Sequence, residues 1–171
     1  MSWLVVAMAG AAFFSAPPVG EGFLLNGVTA HRGNSGEYPE NTMPAFESAL
    51  ALGADWIELD IYRTKDGKLA VLHDADTGRV GDRTVHIAEA TYEELAQVDV
   101  AHAFRTKHGL SVEACPPQRA PLLEEVLARV MAQRHTRVSI QPKQHIVDDA
   151  IALVKQMKAE AWVGFNDGDR N

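Results

Sequence analysis

Between Trp56 and Tyr62 the chain alternates: Ile57, Leu59 and Ile61 are apolar, while Glu58 and Asp60 are acidic. Successive side chains of a strand point to opposite faces, so this run predicts a strand with one apolar face and both carboxylates on the other. A strand inside a parallel sheet is covered on both faces. Two inward acids repel unless a cation or a proton neutralises them. The alternatives are a metal-holding pair and a solvated strand face, and the apolar partners favour the first.

Several other segments also end an apolar run in polar chemistry. Leu24 to Ala30 runs into His31-Arg32-Gly33, Lys68 to His73 into Asp74, and Arg137 to Gln141 into Pro142-Lys143. A helix is expected after Thr42, a cap candidate, with Pro44 in its first turn, Met43, Phe46 and Leu50 on one face and Gly53 at its end. Asp66-Gly67 marks a turn between two strands. From Ala75 to Arg119 the chain is irregular, with one helix expected from Thr91 to Val98. Helices at Leu122 to Met131 and Val147 to Lys158 then alternate with strands at Arg137 to Gln141 and Ala161 to Phe165. Such alternation predicts an α/β fold with a parallel sheet. The expected organisation is an apolar segment over 1–22 and one domain over 23–171, carrying an insertion at about 75–119.

The 171 residues are 46% hydrophobic and 23% charged, which suffices for a buried core. A formal net charge of −7, with no cluster of Lys and Arg, argues against a nucleic-acid partner. An anionic substrate would need a metal or a few placed cations. The lone Cys115 excludes an internal disulfide. Trp3 to Phe14 is too short to span a membrane, but its length suits the apolar core of a secretory leader, with Ala9-Gly10-Ala11 as a small-residue site. No Lys or Arg precedes it. A periplasmic or secreted protein is the expectation, and a buried N-terminal segment in a cytoplasmic protein the alternative.

Ala30-His31-Arg32-Gly33, Pro39-Glu40-Asn41-Thr42, Glu58-Leu59-Asp60, His73-Asp74 and Pro121-Leu122-Leu123-Glu124-Glu125-Val126 occur in that order. Each is short, but together they resemble the glycerophosphodiester phosphodiesterases, from about Asn26 onward. The resemblance implies a TIM-type (β/α) barrel of the phosphatidylinositol phosphodiesterase-like type. A complete barrel takes about 250 residues, so the five strands expected here would be about five of eight, and the chain reads as the N-terminal two-thirds of such a domain. Its uncompleted edge would then favour self-association.

The resemblance further implies metal-dependent hydrolysis of a small-molecule glycerophosphodiester to glycerol 3-phosphate and an alcohol. His31 and His73 would be the acid and base, a role suited to imidazole, which changes charge near neutral pH. Arg32 and Lys143 would bind phosphate oxygens. Glu58, Asp60 and Gln141 would hold a divalent cation, Ca²⁺ or Mg²⁺. Glu40 and Asn41 would support His31 or cap the following helix. Taken alone, each histidine reads as structural or solvated, Arg32 as a surface arginine and Lys143 as a solvated strand-end lysine.

One departure stands out, because the family's later strand carries Glu-x-Lys where this chain has Gln141-Pro142-Lys143. A glutamine oxygen still suits a hard cation, but the missing charge should loosen the metal. Two other functions fit the same residues: a lysophospholipase D or sphingomyelinase D-like lipid phosphodiesterase, and an inactive fragment or degenerate phosphate-binding module.

Overall fold

The computed structural model describes residues 27–166. The leader expected over 1–22 lies outside them. Five strands form one sheet: β1 (Thr29–His31), β2 (Trp56–Arg63), β3 (Leu69–Val71), β4 (Arg137–Pro142) and β5 (Val163–Phe165). The parallel order is β1-β2-β4-β5; β3 pairs with β2, and its Ala70 also bridges to Leu122. Helices α1 (Met43–Ala51), α4 (Leu123–Met131) and α5 (Val147–Met157) carry the crossovers, and two short helices, α2 (Tyr92–Leu95) and α3 (His102–Lys107), lie between β3 and α4.

The alternation in β2 has the consequence expected of it. Ile57, Leu59 and Ile61 are fully buried and pack with Phe46 of α1, Leu127 of α4 and Val154 of α5. Burying each large aliphatic side chain contributes about 1.5–3 kcal/mol. Glu58 and Asp60 occupy the opposite face and are buried too, with Asp60 fully enclosed. A strand covered on both sides is what a parallel barrel wall requires.

The strand count agrees with the sequence, but the direction of β3 does not make it another wall of a barrel. It is antiparallel to β2, with Ile61 opposite Val71 and Arg63 opposite Leu69. Four strands are therefore parallel, and β2 and β3 form a hairpin around the Asp66-Gly67 turn. The hairpin brings the chain back to the level of Asp60, whose carbonyl accepts from the Leu72 N–H at 3.0 Å.

Thr42 occupies the N-cap of α1 without using its hydroxyl as a cap. That hydroxyl donates instead to the Pro39 carbonyl at 2.6 Å, which tightens the preceding loop. Between β3 and α4 the chain is less irregular than its sequence suggests. Leu72, Val80, Ile87, Leu95 and Val98 build a second small core. α2 is shorter than expected and starts in a capping box, in which Thr91 and Glu94 satisfy each other's backbone N–H groups. α3 was not legible because none of its residues is buried, so it carries no apolar periodicity. Among the described residues, no helix is long and apolar enough to cross a membrane.

Candidate active site

The sheet register brings the expected residues to one end. His31 closes β1 directly beside Glu58, and Asp60 sits beside Gln141 across the β2-β4 pair. His31 and Gln141 thus stand at the C-terminal ends of parallel strands, where barrels gather their chemistry, and Glu58 and Asp60 lie beside them within β2. His73 reaches the same region by a different route, on the returning arm of the hairpin.

A sharp loop follows β1. Arg32 and Gly33 both adopt left-handed backbone conformations, with φ of 57° and 79°. Gly33 is required there, because a Cβ would lie 2.8 Å from the backbone of Ala45 in α1. The Arg32 N–H donates to the Glu58 carbonyl at 2.9 Å, and the Asn41 N–H donates to the Arg32 carbonyl at 3.0 Å. Asn41 is left-handed as well, φ 55°. Strained non-glycine residues of this kind concentrate at functional sites.

These backbone bonds aim the side chains. The Arg32 guanidinium donates through Nη1 to Glu40 at 3.0 Å, and its Nε lies 3.5 Å from Asp60 Oδ2. Asn41 Nδ2 donates to the same Asp60 oxygen at 3.1 Å. Glu40 and Asn41 thus serve Arg32 and Asp60; they were expected to orient His31 or cap the helix. The His31 ring stays 67% exposed, with Nε2 3.8 Å from Glu58 Oε2. Such a ring is accessible to a substrate.

His73 is held through Nδ1 by Asp74, at 2.7 Å from Oδ1. That contact places a proton on Nδ1 when the ring is neutral and leaves Nε2 to exchange protons with a ligand. Asp74 in turn accepts from Arg79 Nε at 2.5 Å, and Arg79 reaches Glu40 through both terminal nitrogens. Burial alone would raise the carboxyls of Glu40 and Asp74. The guanidiniums around Glu40, and His73 with Arg79 around Asp74, outweigh it and hold both below the usual carboxylate range. Sequence reasoning missed Arg79 altogether, since it lies in the irregular stretch and carries no spacing signal of its own.

Lys143 Nζ donates to Gln141 Oε1 at 2.7 Å and lies 3.1 Å from Asp60 Oδ1. The latter contact supplies charge without hydrogen-bond alignment, so Asp60 Oδ1 remains a buried oxygen with no directed donor. Asn41 Oδ1 is in the same condition. Burial and then the neighbouring Asp60 charge push the Glu58 carboxyl upward. A crowded acid and unsatisfied oxygens fit a hard cation. Among the described residues no three His, Cys, Asp or Glu side chains form a metal-holding group, and the Gln141 amide oxygen lies beside Asp60 across the β2-β4 pair.

Over residues 31–170 the chain matches the model of the glycerophosphoryl diester phosphodiesterase family. It belongs to that family. A glycerophosphodiester phosphodiesterase from Bacillus altitudinis is 44% identical over 119 residues, 70% of this chain and 46% of the relative. A lysophospholipase D from Rattus norvegicus is 33% identical over 132 residues, covering 77% of this chain and 41% of the relative. The chain spans about half the length of such curated relatives.

Solved structures of the glycerophosphodiester phosphodiesterase family have the same architecture. The Agrobacterium tumefaciens enzyme superposes with a TM-score of 0.73 at 26% identity, over 85% of this chain and 59% of that one. An Oleispira antarctica phosphodiesterase in complex with the product sn-glycerol-3-phosphate gives 0.64 at 25% identity, over 82% of this chain and 56% of its own. The fold is accordingly a TIM-type barrel, of which this chain contains a part.

Proposed function

We propose that this chain hydrolyses glycerophosphodiesters to glycerol 3-phosphate and an alcohol. The observation that carries the reading is the approach of His31 and Arg32 to the buried Glu58-Asp60 pair, with His73 tied to Arg32 through Asp74, Arg79 and Glu40, in a chain of the glycerophosphodiester phosphodiesterase family.

Arg32, hydrogen-bonded to Glu40 and charge-paired with Asp60, binds phosphoryl oxygens, and Lys143 adds a second positive charge. One imidazole takes the proton of a glycerol hydroxyl as that oxygen bonds to phosphorus. The bond from phosphorus to the alcohol breaks, and the other imidazole protonates the departing oxygen. Water then opens the resulting cyclic phosphate with the two imidazoles in exchanged roles. Asp74 keeps the His73 ring in the tautomer this proton traffic needs. Glu58, Asp60 and Gln141 would hold Ca²⁺ or Mg²⁺, which when bound offsets the negative charge of the phosphoryl group.

Release of glycerol 3-phosphate from glycerophosphocholine, with Ca²⁺, with Mg²⁺ and with chelator, tests this reading. His31→Ala serves as the blank. Turnover that survives His31→Ala, or none in a folded and metal-supplied protein, overturns it. The relative named lysophospholipase D supports a second substrate class, so lysophosphatidylcholine belongs in the same assay.

A further inference from the structure

Five side chains form one continuous polar chain across the site: Arg32, Glu40, Arg79, Asp74 and His73. Glu40 Oε1 accepts from both guanidiniums, from Arg32 Nη1 at 3.0 Å and from Arg79 Nη2 at 2.6 Å. Arg79 Nη1 donates to Glu40 Oε2 at 2.9 Å, and Arg79 Nε donates to Asp74 Oδ2 at 2.5 Å. Asp74 Oδ1 then meets His73 Nδ1 at 2.7 Å. The links join three places in the sequence: the loop after β1, the end of the β2-β3 hairpin, and the excursion that follows it.

We propose that Arg79 is a positioning residue that fixes Arg32 and His73 relative to each other, acting through Glu40 on one side and Asp74 on the other. The inference rests on the phosphodiesterase reading and assigns a role within it. Three of its nitrogens, Nε, Nη1 and Nη2, are engaged in a planar fork that a lysine cannot reproduce. Burial is not what the residue supplies, since its side chain is 48% exposed. Exposed ion pairs contribute little to stability. What the fork does supply is orientation, because neither carboxylate can rotate without breaking a bond to it. Glu40 stays anionic because its two guanidiniums outweigh its burial, so the bridge persists into mildly acid conditions.

The consequences divide between binding and chemistry. Glu40→Gln should mainly raise KM, through Arg32, and Asp74→Asn should mainly lower kcat, through His73. Arg79→Met should do both, each by about tenfold or more. Residues acting as one unit are not additive. Arg79→Met with Glu40→Gln should therefore bind no worse than Arg79→Met alone, and Arg79→Met with Asp74→Asn should turn over no more slowly. Arg79→Lys should recover only part of either loss.

The full chain carries the test in two arms. The first is steady-state kinetics on glycerophosphocholine for the single and double variants, each checked for cooperative unfolding. The second is ¹⁵N NMR of the His73 ring, assigned by difference with His73→Gln. It expects one tautomer, with the proton on Nδ1, in the unmodified chain and averaged tautomers in Arg79→Met. If Arg79→Met fails to fold, Arg79→Lys replaces it in both arms. The ring measurement needs no turnover, so an inactive chain would sink the phosphodiesterase reading while Arg79 is still judged by the tautomer. Kinetic constants within twofold of the unmodified chain, full additivity in both double variants, or an unchanged tautomer in the folded variant overturns the proposal.

Discussion

The ammonium of Lys143 lies 3.1 Å from the fully buried carboxylate of Asp60. It also donates to Gln141, where the resemblance in sequence implies a glutamate. A single cation thus serves both a buried acid and a neutral amide, and on the proposed metal site the charge of residue 141 would set how strongly a divalent cation competes with Lys143 for this position. Gln141→Glu should raise divalent-cation affinity by about tenfold or more, since charge count tunes such sites. Calorimetric titration with Ca²⁺ and with Mg²⁺ checks this, and an unchanged affinity would remove residue 141 from the ligand set.

His31→Ala should separate activity from stability. The ring is mostly exposed, so its loss should change unfolding free energy by less than about 0.5 kcal/mol. Loss of a general acid or base costs about 10²–10⁴-fold in rate. Urea denaturation and kcat, measured on the same preparation, check both halves.

Gly33→Ala should do the reverse and damage the fold. Its left-handed backbone and the 2.8 Å approach of the new Cβ to Ala45 force α1 and the Arg32 loop apart. The expected cost is about 1–3 kcal/mol, read from the midpoint of urea denaturation.

Acid should loosen the Glu40-Arg79-Asp74 cluster. The carboxyls of Glu40 and Asp74 are held below their usual range, so the folded chain binds fewer protons than the unfolded one where these groups titrate. Their contribution is complete above the pKa of the unfolded carboxyls and is lost as pH falls through the folded values. Glu40→Gln should therefore flatten the acid limb of stability against pH. Thermal unfolding at a series of acid pH values reads this directly, and an unaltered limb would show that Glu40 contributes nothing to it.

How much of this was legible in the sequence differs from residue to residue. The shared face of Glu58 and Asp60 followed from period-two alternation, because strand geometry leaves no other arrangement. The reach of Lys143 to Gln141 followed from the same rule. The partners of Glu40 and Asn41 did not, since both depend on left-handed turns at Arg32 and Asn41 that only the folded loop reveals. Arg79 was invisible for a related reason: its contacts join segments 39 residues apart, and nothing local marks it. The helix His102–Lys107 buries no side chain and so leaves no periodic trace.

The antiparallel return of β3 makes His73 the end of a folded ruler. Its position is counted from the pairing of Ile61 with Val71, not from the hairpin tip. Adding one residue to each arm of the hairpin lengthens the tip and leaves the imidazole where it was. Adding one residue to the returning arm alone slips its pairing with β2 by one, inverts which of its side chains face the apolar core, and moves the point at which the chain leaves for His73. The hairpin tip can therefore vary in length in matched steps, while the place of His73 changes only when those steps are unmatched.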